Sequence, residues 1–307
     1  MRSFILLFLV FFFLQFDSLL GERIYKIEGF VIRTNGGIVD WATGKVTVSG
    51  KAKVQKFVKN RSDVSYDSEK VFQPHSLSEA RLAARREAEE NAIMNAYRVF
   101  YSIRVNNETT VEDYLKFPGV ETKINSFIKE KGKLVGAVLE DDLWTVTLEY
   151  NLFGPNGFVA LNDEEDPSDD FIRFHQESFP FYFKQTNKIS WEGLVISAPY
   201  LKVTPALAPK IYAENGNLLY DCSFLRASDA IESGIAVYST SPFNVIKTVN
   251  YRYYHCFAVN TTTFEGTDIV ISDSDAQKIF SSPETIKNIR KCKVIILAAP
   301  PSFNKKR

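Results

Sequence analysis

Alternation with a period of two runs from Lys45 to Val54, where Val46, Val48, Gly50, Ala52 and Val54 share one face, and it predicts a strand after a turn at Asn35-Gly36-Gly37. The period then changes. Ser76-Leu77-Ser78-Glu79 has the form of a capping box, and Ala80, Ala84, Ala88, Ala92 and Ala96 recur every four residues behind it. Such a stripe gives a long helix one flat face of small side chains, on which a sheet or second helix can approach closely. Ile93, Tyr97, Phe100 and Ile103 widen that face, and Arg81, Arg85, Arg86, Glu87, Glu89 and Glu90 fall on the wet side. A shorter helix is predicted from about Val111, with Thr110 as its cap and Asp113 three residues on. Pro118-Gly119 interrupts it, after which Val120, Ile124, Phe127 and Ile128 carry helical spacing to Gly132. A hairpin follows from Lys133 through Asp141-Asp142 to Tyr150, with Trp144, Val146, Leu148 and Tyr150 alternating against Leu143, Thr145, Thr147 and Glu149.

The second half reads as short strands: Gly193–Ser197, Gly234–Tyr238, Asn250–Val259, Thr267–Ile271 and Lys293–Ala298. Asn215-Gly216 suggests a hairpin turn with positive φ at both central residues. One helix is expected at Asp273–Phe280, capped by the Ser272-Asp273-Ser274-Asp275 run. Between the halves, Asn162 to Asp170 reads NDEEDPSDD, whose mutually repelling carboxylates suit a linker or exposed loop. The expectation is an α+β fold: a small antiparallel sheet carrying a long Ala-rich helix, followed by a mostly-β second domain. The divisions are a signal peptide at 1–21, an α+β domain at 22–160, an acidic and aromatic linker at 161–187, a β-rich domain at 188–299 and a tail at 300–307.

The first residues change the picture most. Arg2, an apolar run from Phe4 to Leu14 and the small residue Gly21 have the layout of a secretory signal cut between Gly21 and Glu22. A retained anchor is the alternative, but Gln15 and Asp17 break the run short of a bilayer's ~20 residues. No Cys stands near the cut, which disfavours a lipid anchor. With 37 Lys+Arg against 37 Asp+Glu the chain has no field to collect polyanions, so nucleic acid is excluded as an expected partner. Cys222, Cys256 and Cys292 are too few for a disulfide scaffold. They read as buried fillers, or as one disulfide plus a free thiol.

Chemistry-bearing motifs are sparse. His75, His175 and His255 have no partner at metal-ligand spacing, and the nucleophile-elbow and phosphate-loop motifs are absent from the sequence. His255 and Cys256 are adjacent in a predicted strand and so point to opposite faces. Asp268, Asp273 and Asp275 could hold a cation, although caps and turns account for them more simply. The aromatics are less bland. Phe174, Phe179, Phe181, Tyr182 and Phe183 follow the acidic run, and Tyr251, Tyr253, Tyr254 and Phe257 mark a later strand. Exposed, such clusters would anchor a protein partner; otherwise they fill the second core. Phe179, Phe181, Tyr182 and Phe183 are the candidate partner-binding residues, and no catalytic, cofactor or metal residue is named.

Trp41-Ala42-Thr43-Gly44, then Val48-Ser49-Gly50-Lys51-Ala52 and the helix Ala80–Ala96 resemble the LPP-twenty-type lipoprotein family, which includes the N-terminal domain of the flagellar assembly protein FlgT. Trp191 to Ala198, Pro205 to Ile211 and Thr267 to Ala276 resemble the segment that follows this domain in larger bacterial envelope proteins. Lipoprotein members carry a Cys at the cleavage site, where this chain has Gly21-Glu22. The resemblance implies an exported, non-enzymatic protein of the periplasm and cell envelope, structural or assembly-related and associated in its most specific form with the flagellum. Its partners would be envelope or flagellar proteins, without cofactor and without lipid anchor. The alternative is a small-ligand or carbohydrate-binding envelope protein with an aromatic pocket around Tyr251, Tyr253 and Phe181. An enzyme ranks third and would need a cleft where His175 or His255 meets an Asp or Cys.

Overall fold

The structure, a computed structural model, describes residues 29–55, 74, 76–162, 172–174, 183–184, 189–241, 252–263 and 266–299. The first half contains β1 (Val31–Arg33), β2 (Gly37–Asp40), β3 (Lys45–Lys53), α1 (Leu77–Ser102), α2 (Pro118–Glu130), β4 (Lys133–Glu140) and β5 (Leu143–Asn151). These strands form one antiparallel sheet in the order β1-β2-β3-β5-β4. The alanine stripe does what its spacing predicts: Ala80, Ala84, Ala88, Ala92 and Ala96 are all buried as α1 lies across β3 and β5. At the crossing Gly50 has no room for a side chain, because a Cβ there would overlap the Ala88 carbonyl and the Ala92 amide. Asn91 and Asn95 Nδ2 donate to the Lys51 and Ser49 carbonyls at 3.0 and 2.8 Å and fix the helix along the strand. The Ser76 hydroxyl accepts from the Glu79 amide at 3.1 Å, the first arm of the expected capping box.

Two local expectations need correction. The helix expected from Val111 is a single 3-10 turn at Glu112–Tyr114, and α2 begins at Pro118 itself. Proline excludes α geometry at the residue before it, so Phe117 is extended (φ −95°, ψ 114°) and becomes the cap. In the turn after β7, Gly216 alone takes positive φ (86°), and Asn215 instead accepts the Asn217 amide through its side chain. The Asp141-Asp142 hairpin does have both residues at positive φ, 49° and 58°.

The second half is a seven-stranded sheet in the order β8-β7-β11-β10-β6-β12-β9. Its strands are β6 (Gly193–Ala198), β7 (Ile211–Ala213), β8 (Leu218–Tyr220), β9 (Val237–Ser239), β10 (Tyr253–Thr261), β11 (Ile269–Ile271) and β12 (Val294–Ala298). Four of its six pairings are parallel, which explains why β6 and β12 read as unbroken apolar runs: both their faces are buried. Among the described residues three short helices accompany it, α3 (Ala227–Ser233), α4 (Asp273–Phe280) and α5 (Pro283–Ile289), of which only α4 is anticipated in the sequence.

The boundary between the halves separates two sheets but not two cores. Phe30 and Trp41 of the first half lie 5.5 and 5.6 Å from the Tyr238 ring, and one apolar cluster runs from Val46 and Phe100 through Ile172 to Ile196 and Ile296. Phe153 packs against both Gly44 and Gly234, whose positive φ angles (66° and 77°) suit glycine. The Leu207 and Ala208 amides donate to the Arg104 and Val105 carbonyls at 2.9 and 2.7 Å. The two residues flanking the acidic run also meet: buried Asn162 accepts the Ile172 amide at 2.8 Å. The acidic residues of the run, within 163–170, lie outside the described residues, as does Phe171.

Candidate functional site

Two features of the second half stand apart from simple packing. The first is the outer face of the seven-stranded sheet. Tyr254, Cys256 and Ala258 of β10 turn inward to the shared core, so Tyr253, His255, Phe257 and Val259 turn outward. Toward β12 this outer face is covered, and Val195 and Ile295 form a small separate core with Val237, Tyr253 and Leu297 packed on it. Along β10 the cover ends. Phe257 is 71% exposed, Val259 is 49% exposed and His255 is exposed between Tyr253 and Phe257, although β10 is the central strand of the seven. Tyr200, 96% exposed, lies in the turn leaving β6 at the end of the sheet where β10, parallel to β6, also ends.

The second feature is a cleft of about 410 Å³ at the seam between the halves. Its first-half wall is the excursion after α1, where Asn106 Oδ1 accepts the Glu108 and Thr109 amides and Asp113 accepts the Thr110 amide and hydroxyl. These bonds hold the Asp113 carboxyl below its usual range. The Tyr114 and Phe117 rings follow, with the Lys116 ammonium 5.4 Å from the Phe117 centroid. The opposite wall is Lys210, Asp221 and Cys222. Lys210 Nζ stands 3.4 Å from Asp221 Oδ2, and its backbone amide donates to Asp268 Oδ1 at 3.0 Å. Burial alone would lower the Lys210 ammonium, but the Asp221 charge, with Tyr212 and Asp268, outweighs it and the net shift is upward. Burial pushes the Asp268 carboxyl up, against the Lys210 amide and Thr267 hydroxyl that favour its ionised form. A smaller hollow of about 240 Å³ lies on the other side of Lys210, between Asn107, Tyr212 and Asp268.

The polar groups on the second-half wall are engaged with one another. Asp221 accepts the Ser223 amide and the Cys222 thiol, and burial foremost, then Asp221, raises that thiol well above its ordinary value. All three cysteines are free thiols, with Cys256 and Cys292 buried, as the filler reading expects. Burial pushes Cys292 up to about 12. Asp273 accepts the Asn215 amide and Asp275 accepts the Ser272 and Tyr254 hydroxyls, so these carboxylates serve caps and turns. Among the described residues no three metal-ligating side chains gather.

Gly21, Glu22, Phe179, Phe181 and Tyr182 lie outside the described residues, as do His75, His175 and Tyr251. Phe183 is described and packs, half-buried, against the shared core. Among the described members of the second aromatic group Phe257 is the exposed one; Tyr254 is half-buried and tied to Asp275. No helix among the described residues is long and apolar enough to cross a membrane.

Residues 193–300 match the family model of the second domain of Treponema pallidum Tp0624. No curated protein matches the chain. The Tp0624-like stretch starts at the first residue of β6 and takes in the whole seven-stranded sheet, so it carries both the open face and the Lys210–Asp221–Cys222 wall of the cleft. The cleft is hard to read from sequence because its walls, near residues 105–117, 172–173 and 208–223, meet only through the seam. The Pro205–Ile211 and Thr267–Ala276 blocks are recognisable, but as packing motifs rather than walls of one hollow.

Proposed function

We propose that the protein is a non-catalytic component of the bacterial envelope that acts by holding a protein partner on the outer face of its second sheet. The observation that supports this most is Phe257, a large aromatic 71% exposed in the middle of a seven-stranded sheet, with Val259 beside it. A central strand is normally covered on both faces, and an uncovered apolar row on one marks a contact surface. The signal-like N-terminus and the resemblance of the first half to LPP-twenty-type proteins favour the periplasm. The likeness of FlgT to that half makes the flagellum the most specific setting. The inward engagement of Asp221, Cys222 and Asp268 favours a structural role over a catalytic one.

The test compares the exported chain with its Phe257→Ser variant. Cross-linking in cells followed by pull-down should enrich a defined envelope protein with the parent, and Phe257→Ser should lose it without a lower melting temperature. Equal capture by both would remove the open face from the reading. Normal motility after deletion of the gene would remove the flagellar setting alone. The 410 Å³ cleft supports a second reading, a small ligand held between the Tyr114 and Phe117 rings and the Lys116 and Arg173 charges. Ligand-dependent thermal stabilisation that Tyr114→Ala abolishes would favour it.

A further inference from the structure

We infer that the chain forms a two-fold homodimer by pairing its β4 edge with β4 of a second copy. This rests on the first-half sheet and is independent of the partner surface on the second. The other free edges are short: β1, β8 and β9 have three residues each, a common protection against unwanted pairing. β4 has eight, reading Lys133-Leu-Val-Gly-Ala-Val-Leu-Glu140, and among the described residues no strand pairs with its outer side. Leu134, Val135 and Val138 are 45%, 49% and 51% exposed. A long, apolar, unpaired edge is a template for another strand.

The occupant is identified by the self-complementarity of the segment. Pairing with β5 assigns each β4 residue a face. Leu134, Ala137 and Leu139 oppose Leu148, Val146 and Trp144 and share the helix side, whereas Lys133, Gly136, Val138 and Glu140 share the other. The register shifts by one between Leu134 and Gly136, leaving Val135 as an extra, bulged residue. A two-fold axis normal to the sheet preserves faces, so only residues on the same face can oppose one another. Centred on Ala137, such an axis sets Ala137 against its own copy and Gly136 against Val138, the residue without a side chain beside a branched one. Past the bulge it sets Leu134 against Leu139 and Lys133 against Glu140. The bulge thus brings like faces together and ends both sides of the interface on opposite charges. Without the bulge, keeping Lys133 opposite Glu140 would place Gly136 against Ala137, which lie on opposite faces.

The pairing would join two five-stranded sheets into one of ten strands, with both α1 helices on the same side. Sedimentation of the full chain, purified after export, should show a concentration-dependent dimer. Val138→Lys, at an exposed site, should make it monomeric with unchanged circular dichroism. Lys133→Glu or Glu140→Lys alone should weaken it about fivefold or more, since like charges are then opposed twice per dimer. The double exchange Lys133→Glu/Glu140→Lys should restore parental affinity. Ala137→Cys should form a covalent dimer under mild oxidation, because directly opposed antiparallel residues lie ~4.5–5.5 Å apart at Cα. A parent that stays monomeric at on the order of 100 μM overturns the inference. So does a dimer that neither becomes covalent in the Ala137→Cys variant nor responds to the charge exchange.

Discussion

At the scale of single residues, Tyr150 shows how a buried phenol links this core to pH. Its ring meets Phe100 at 5.3 Å and Phe127 at 6.0 Å, and its hydroxyl donates to the Ile128 carbonyl at 2.9 Å. Burial raises its pKa to about 12, because a phenolate there would lose its hydration. The folded chain therefore holds this proton more tightly than the unfolded chain, whose phenol titrates near 10. The stability so contributed is complete below about pH 10 and is lost as pH rises through 12. Tyr150→Phe should cost about 1 kcal/mol at neutral pH through the missing hydrogen bond. Between pH 10 and 12 it should lose less than the parent, so the two denaturant midpoints converge or cross. Parallel curves across that range would mean that Tyr150 does not carry the shift.

At the scale of elements, the contact of α1 with β3 was readable because two independent patterns agree. An every-fourth alanine stripe can bury itself only against something equally flat, and the small-residue face of the strand at Gly50 and Ala52 supplies it. Gly50→Ala should then act as a wedge. Its methyl has no room against the Ala88 carbonyl and the Ala92 amide, and backbone atoms yield less than side chains. We expect a loss of about 3 kcal/mol, at the upper end of overpacking effects, measured by urea unfolding; a loss under ~1 kcal/mol would show that α1 shifts freely. Elements of the second half were less legible for a physical reason. α3 and α5 have seven residues each, too few for periodicity to declare itself. A local signal for α5 was nevertheless present: Ser282-Pro283 is a cap followed by proline at the first helical position, and Ser282 Oγ accepts the Thr285 amide. Strand order could not be read at all, since parallel pairing of β6 with β10 and β12 depends on residues some 60 to 100 positions away. Exposure of Phe257 follows from that order and was equally hidden.

At the scale of the whole molecule, the question is whether two sheets joined by one core behave as one body. Several links of different kind cross the seam. Phe30 and Trp41 meet the Tyr238 ring, Phe153 sits between Gly44 and Gly234, and Asn107 Oδ1 accepts the Thr263 hydroxyl at 3.1 Å and the Thr267 amide at 3.3 Å. Apolar surface shared across a boundary is exposed when either side unfolds, so neither sheet can open without taking that cost. Tyr238 concentrates the effect: it is fully buried, it packs on two first-half aromatics, and its hydroxyl both accepts the Ala206 amide and donates to the Ala206 carbonyl. Tyr238→Leu should therefore destabilise by about 2–4 kcal/mol through lost ring contacts and unpaired Ala206 groups. Its signature is cooperative. Calorimetry of parent and variant should each give a single transition with equal calorimetric and van't Hoff enthalpies. Hydrogen exchange should accelerate alike at Val46 and Val48 of the first sheet and at Leu194 and Ile196 of the second. If exchange rose in the second sheet alone, or the transition split in two, each sheet would carry its own stability. The seam cleft would then lie between independently folding units and could open and close around an occupant.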